Sequence, residues 1–278
     1  VPIAVGPRTL YVDLRDAMAR DLFRDGPYGE DLWEADEQSV LRRIIRSGDI
    51  VFDVGAHLGA HAVLFSDLVG RGGRVYAFEA NPERIPQLRR TLRALGNATV
   101  FPCALSDRVA TATLFVPELH ACASLSDWTG GQGGPTRRVS CDVRRLDDVV
   151  AEERLPPPDF IKCDVEGAEL LVFHGASGLL NGERAPVILF ERNRKATRAF
   201  GLDVRAPSDY LLQLPEPGYA LFEIEPGGEL SPTAPDARYE KVSNLLAVPR
   251  ARRDRVARST LADRARQGWR GTAPFPRP

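Results

Sequence analysis

The stretch IVFDVGAHLGAHA, Ile50 to Ala62, decides how the rest of the chain is read. A short apolar run, Ile50 to Phe52, leads to Asp53, then to a tight turn from Gly55 to Gly59, then to a segment with helical apolar spacing. That order spells strand, turn, helix. Gly55 tolerates a positive φ, and both glycines let a ligand come close to the backbone where a Cβ would intrude. The helix that follows aims unpaired N–H groups into the same crevice. A nucleoside-sized ligand is expected there.

Outward from this turn, strands and helices alternate. Arg74–Glu79, Thr99–Pro102, Asp159–Asp164 and Pro186–Glu191 read as strands, with helices from Asn81-Pro82 to about Leu95 and over Gly167–Ser177. The pattern predicts an α/β fold with a mostly parallel sheet covered by helices on both faces. Ala112–Val116 and Arg137–Val143 alternate as a β pair around a Gly/Ser-rich loop, Ser124–Pro135. Arg192–Pro207 reads as a polar loop, and Tyr219–Ile224 and Val242–Val248 as closing strands joined by the Pro/Gly-rich Glu225–Pro235. Upstream, Thr9–Val12 reads as a strand, Arg15–Phe23 as a helix, Asp25–Gly29 as a turn and Leu32–Arg46 as an amphipathic helix. The division expected is an N-terminal strand and helix extension over 1–46, a ligand-binding domain over 47–249, and an Arg-rich tail over 250–278 with one helix near Val256–Trp269.

With 278 residues, 43% of them hydrophobic, the chain suits one sizeable globular domain. A net charge of −1 gives no electrostatic case for nucleic acid or an anionic membrane. No apolar run has the length of a membrane span, and the first residues show no basic segment followed by an apolar core. Cys103, Cys122, Cys141 and Cys163 form no CxxC pair and read as free thiols of a cytoplasmic protein.

In an open parallel sheet the ligand lies beyond the carboxyl ends of the strands. Here those ends carry Asp53, Glu79, Asp164 and Glu191, with Asp107 nearby. A dinucleotide fingerprint needs G-x-G-x-x-G, but His57 and Ala60 stand at its second and third glycines, and Asp53 repels a pyrophosphate. An NAD(P)-dependent oxidoreductase is therefore the rival class. S-adenosylmethionine (SAM) suits the acids better: it has no phosphate, an ammonium, a ribose diol and an adenine. Glu79 is placed to accept from the ribose hydroxyls and Asp107 from the adenine amino group.

DVGAHLG, FEANP, ALSD, the Leu146-Asp147-Asp148 turn, IKCDVEGAE and NLLAVP, in this order from about Asp31 to Pro249, resemble the FkbM family of SAM-dependent methyltransferases. The resemblance implies a Rossmann-like class I methyltransferase fold, with a seven-stranded, mostly parallel sheet and an antiparallel last strand. It implies SAM as cofactor and S-adenosylhomocysteine as product, held by Asp53, Gly55, Ala56, His57, Gly59, Glu79, Ala80, Asn81, Ser106, Asp107 and Asp164. It also implies O-methylation of a hydroxyl on a sugar or other natural product, with N-methylation as the alternative on the same fold. The chain departs from the family at His57, where Asn is frequent, and over Ala60–Ala62. That leaves the substrate class open.

Methyl transfer to a hydroxyl is an in-line displacement that needs positioning and a base. The catalytic candidates are Asp164, Glu166, His57 and His61. Lys162, inside the fourth strand, is expected to meet a carboxylate, Asp53 or Glu166. An alternative Mg²⁺ site would use Asp164, Glu191 and Asn193. Trp33, Glu34 and Glu37 suggest a lid, His174 a solvent-facing or helix-capping residue, and Trp128, His120 and Asn193–Phe200 the substrate mouth.

Overall fold

A computed structural model describes residues 1–5, 8–14, 19–20, 23–24, 35–118, 122–132, 134–233 and 242–256. The expected turn at Asp25–Gly29, Trp33, Glu34, His120, most of the Arg15–Phe23 helix and the tail helix beyond Val256 lie outside these residues.

The chain opens with a hairpin, β1 (Pro2–Val5) and β2 (Arg8–Tyr11), followed by helix α1 (Ala35–Ile44). Then come β3 (Ile50–Val54), α2 (Ala60–Val69), β4 (Arg74–Phe78), α3 (Ile85–Leu95) and β5 (Ala98–Phe101). A three-stranded side sheet is built from β6 (Ala104–Leu105), β7 (Ala110–Pro117) and β8 (Thr136–Arg144). The order continues with α4 (Leu146–Glu152), β9 (Phe160–Cys163), α5 (Glu169–Gly175), α6 (Ser177–Leu180) and β10 (Val187–Arg192). It closes with α7 (Arg194–Ala199), α8 (Ala206–Gln213), β11 (Ala220–Glu225), β12 (Glu229–Pro232), β13 (Ser243–Val248) and a 3₁₀ turn over Arg250–Arg255.

The main sheet has the order β12-β11-β13-β10-β9-β3-β4-β5. β3, β4, β5, β9 and β10 run parallel, and β13 is antiparallel to both its neighbours. This is the expected doubly wound architecture with its antiparallel last strand, and one strand more than the expected seven. The extra strand is β12, which the Gly227-Gly228 turn folds back onto β11 in what the sequence suggests is a plain connection. Arg192–Pro207 is likewise no loop. Asn193 Oδ1 accepts from the Ala196 N–H at 3.2 Å and opens α7, and Pro207 sits in the first turn of α8. The Leu146-Asp147-Asp148 stretch opens α4.

Alternation within the parallel strands divides the core. Val51, Val75, Phe160, Val187 and Leu189 face one apolar layer with Val40, Leu41 and Ile44 of α1, Phe65 of α2 and Leu88 of α3. Phe52, Val54, Ile161, Cys163, Ile188 and Phe190 face the other, with Val149 of α4, Phe173 of α5 and Leu211 of α8. The opposite, amino-terminal edge of the sheet is clamped by arginines. Arg255 donates from both terminal nitrogens to Asp49, at 2.5 and 2.9 Å, and Arg252 reaches Asp159 at 2.8 Å. Among the described residues no helix is long and apolar enough to cross a membrane, and all four cysteines are free thiols.

Candidate active site

The ends of β3, β4 and β9 enclose a cavity of about 230 Å³. At one end lies the glycine turn. Gly55 has φ +85°, and a Cβ there would stand 1.8 Å from the backbone oxygen of Asp164. The glycine thus admits the neighbouring loop rather than a ligand. A Cβ at Gly59, also at φ +85°, would meet the Leu88 side chain of α3. Four of the turn's N–H groups are spent within the protein. The N–H groups of Gly55 and Ala56 both go to the Phe78 carbonyl at 3.0 Å, and that of Gly59 goes to Ala56 at 2.8 Å. His57, held at φ +48°, donates its N–H to Glu79 Oε2 at 2.7 Å. Glu79 Oε1 accepts from the Asn81 N–H at 2.7 Å. Two backbone donors therefore fix the Glu79 carboxylate at the mouth of the turn, each oxygen keeping acceptor capacity.

Around the cavity stand Gly55, Ala56, His57, His61, Glu79, Ala80, Asn81, Asp164, Glu166 and Glu191. The structure brings these expected residues together. Asp53 is fully buried behind them, and Ser106 and Asp107 lie away from the cavity lining, the Ser106 hydroxyl donating to Asp107 at 3.1 Å. An apolar wall that the sequence does not announce comes from Leu114 and Val116 of β7 with Leu125. Cys122 and Ser124 complete it.

The far end is acidic. Lys162 Nζ donates to Asp164 Oδ2 at 2.7 Å, a carboxylate other than the two expected, Asp53 and Glu166. Their positions two apart on one strand face allow this directly. In the β3–β9 register Lys162 also lies opposite Asp53, whose two carboxylate oxygens make no hydrogen bond. Burial pushes the Asp53 carboxyl up against the pull of Lys162 and His61. For Asp164 burial pushes up too, but the Lys162 ammonium, its hydrogen bond and the charges of His61 and His57 outweigh it and hold the group below its usual range.

Glu166, at φ +55°, is pinned by Ser124 Oγ, which donates to its carbonyl at 2.9 Å. Burial and the Asp164 charge raise its carboxyl to about 7. The same two causes raise Glu191 to about 10. Beneath them Glu169 accepts from the N–H groups of Val165 and Gly167 at 3.1 and 3.3 Å, and burial raises it to about 8. One oxygen each from Asp164, Glu166 and Glu191 lies within 4.8 Å of the others. Glu166 thus stands in the trio where the sequence suggests Asn193, which is occupied capping α7. His174 is exposed in the last turn of α5, its ring 4.9 Å from Tyr210.

The model of the methyltransferase FkbM domain matches residues 53–219. The chain belongs to the FkbM methyltransferase family. It is 33% identical over 158 residues to the 31-O-demethyl-FK506 methyltransferase FkbM of Streptomyces tacrolimicus, covering 47% of this chain and 60% of that protein. It is 28% identical over 159 residues to the hexuronic acid methyltransferase AglP of Haloferax volcanii, covering 54% and 62%. The chain therefore spans less than two thirds of the length of these relatives. A solved FkbM methyltransferase from Methylobacillus flagellatus aligns with 18% identity and a TM-score of 0.47, over 85% of this chain and 62% of that one. In this FkbM chain the cavity residues from the turn to Glu191 fall inside the matched segment, whereas Glu37 of α1 lies outside it.

Proposed function

We propose that this chain is a SAM-dependent methyltransferase that methylates a hydroxyl of a sugar or secondary metabolite. The observation that carries the reading is the commitment of the turn's N–H groups to Phe78, Glu79 and Ala56, beside carboxylates at Glu79 and Asp164. A pyrophosphate would meet spent donors and negative charge, whereas a phosphate-free, cationic nucleoside meets complementary charge. Family membership supports the same choice, as do the names of relatives that act on 31-O-demethyl-FK506 and on hexuronic acid, and that of a 2-O-methyltransferase, NoeI of Sinorhizobium fredii.

When bound, SAM supplies the electrophilic methyl group. Glu79 accepts from the ribose hydroxyls while its backbone donors hold it in place. The apolar wall of Leu114, Val116 and Leu125 excludes water. Glu166, titrating near neutrality, takes the proton of the acceptor hydroxyl, and Glu191, which keeps its own, donates a hydrogen bond to the acceptor. On this reading 47–249 is the catalytic domain, 1–46 an extension that includes α1, and 250–278 a tail.

Calorimetry tests the proposal. S-adenosylhomocysteine should bind and NAD⁺ should not, and Glu79→Ala should weaken S-adenosylhomocysteine by about 10- to 100-fold. Absence of binding to the folded wild-type chain would refute the cofactor, and an unchanged affinity in the variant would refute the ribose contact.

A further inference from the structure

His61 stands one turn into α2, buried at 6% exposure and lining the cavity. Its Nε2 lies 3.1 Å from Oε1 of Glu37 on α1, and both side chains are almost wholly shielded from water. The two atoms stand at ion-pair distance with no hydrogen bond between them, a contact that is attractive only when the nitrogen carries a proton. The second Glu37 oxygen accepts from Asn244 Nδ2 of β13 at 2.5 Å, which fixes the carboxylate between two elements. The groups facing the imidazole are Glu37 from α1, Asp53 from β3, Asp164 after β9, and, beyond these acids, Lys162 and His57. Phe65 of α2 lies alongside the ring at 5.7 Å. Three acids thus surround His61 and favour its charged form.

The cofactor ends in an α-amino acid, with a carboxylate and an ammonium on one carbon. The ammonium has Asp164 to meet. The carboxylate then needs a cation close to Asp164: the Lys162 ammonium is already bound there, and Arg84 lines the cavity from the turn that Asn81 opens before α3, whereas the charge of His61 bears on the Asp164 carboxyl. An imidazolium beside a carboxylate is the complement of such a zwitterion. We propose that His61, protonated and oriented by Glu37, receives the carboxylate of the cofactor's amino-acid tail while Asp164 takes the neighbouring ammonium. This rests on the cofactor reading above. Glu37 is a positioning residue in this scheme and His61 a cofactor-binding one. The first helix then contributes to cofactor recognition from outside the segment that defines the family.

The experiment compares two probes by calorimetry: S-adenosylhomocysteine, and the amine left when that molecule loses its carboxyl group. His61→Asn should weaken S-adenosylhomocysteine by about 10-fold or more and change the decarboxylated probe by less than about 2-fold. Glu37→Gln leaves His61 in place but removes the charge that favours its protonation. Affinity for S-adenosylhomocysteine, which falls as pH rises and the imidazolium is lost, should then fall at a lower pH than in the wild type, and Glu37→Asp should restore part of the difference. Equal losses for both probes, or no loss in His61→Asn, would overturn the His61 assignment. An unshifted pH profile in Glu37→Gln would overturn the role of Glu37. Failure of the folded wild type to bind either probe would instead remove the cofactor reading itself.

Discussion

Asp49 and Asp53 bracket the same strand and meet opposite fates. Asp49, at the amino-terminal edge of the sheet, receives both terminal nitrogens of Arg255 and the N–H of Arg46. Its neighbour Asp159 takes Arg252 and the Ile50 N–H. At the carboxyl-terminal edge Asp53 is buried without a hydrogen bond, and Asp164, Glu166 and Glu191 crowd within 4.8 Å with one lysine between them. Acids are placed at both edges, but arginines meet Asp49 and Asp159 at the first, whereas a lysine meets Asp164 at the second. The paired edge stabilises the fold. The other holds charge that a cationic ligand can satisfy, at a cost in stability that the paired edge offsets.

The largest effect should come from breaking the paired edge. Asp49→Ala leaves Arg255 buried without its partner and should cost about 3–5 kcal/mol in chemical denaturation, with S-adenosylhomocysteine affinity unchanged in the fraction that remains folded. A loss below about 1 kcal/mol would show that the two edges do not differ in this way.

The second effect is a pH dependence of the ligand-free protein. Glu166, Glu169 and Glu191 keep protons to about 7, 8 and 10 in the fold, while an unfolded glutamate releases its proton near 4.5. Between these limits the native state binds more protons than the unfolded one, so stability falls as pH rises. Asp164 works in the opposite sense, but its window lies below its ordinary range, outside the interval tested. Calorimetric melting should therefore drop by roughly 5 °C or more from pH 6 to pH 9, and Glu191→Gln should flatten the slope. A melting temperature that rises over this interval would contradict the assignment of strain to this edge.

How much of this contrast is legible in the sequence depends on the range of the contacts. The parallel strands announce themselves because residues such as Val51, Phe52 and Val54 are buried on both faces, leaving short apolar runs ended by acids. The glycine turn and the IKCDVEG loop are each one unbroken stretch, so their cavity residues, Gly55 to His61 and Asp164 to Glu166, are legible. α7 and α8 are hidden because they are short, polar and announced only by a capping Asn193 and by Pro207. The partner of His61 is hidden for another reason. Glu37, Asn244 and His61 are far apart in the chain and meet only once α1 has packed beside β13, and no local pattern records that meeting.

A third, smaller effect separates the edges at a single atom. Asp53→Asn removes a buried charge that no hydrogen bond compensates, so unfolding free energy should change by less than about 1 kcal/mol, or rise, in contrast to Asp49→Ala. A destabilisation as large as that of Asp49→Ala would mean that Lys162 and His61 satisfy Asp53 as fully as Arg255 satisfies Asp49. The smallest effect belongs to the carboxylate trio. With Glu166 serving as the base and Glu191 keeping its proton, chelation by EDTA should leave methyl transfer within about 2-fold, and added Mg²⁺ should not raise it. Loss of activity on chelation, restored by the ion, would show that the trio loads a metal.

The contact at Gly55 has a wider consequence. A single missing methyl separates the turn that ends β3 from the backbone oxygen of Asp164. The turn and the acid loop therefore touch backbone to backbone, with no room for a side chain between them at Gly55. Neither side can be rebuilt alone: a bulkier residue in the turn displaces the acid loop, and a shifted acid loop collides with the turn. Room to reshape the cavity lies instead in its outer wall, Leu114, Val116 and Leu125.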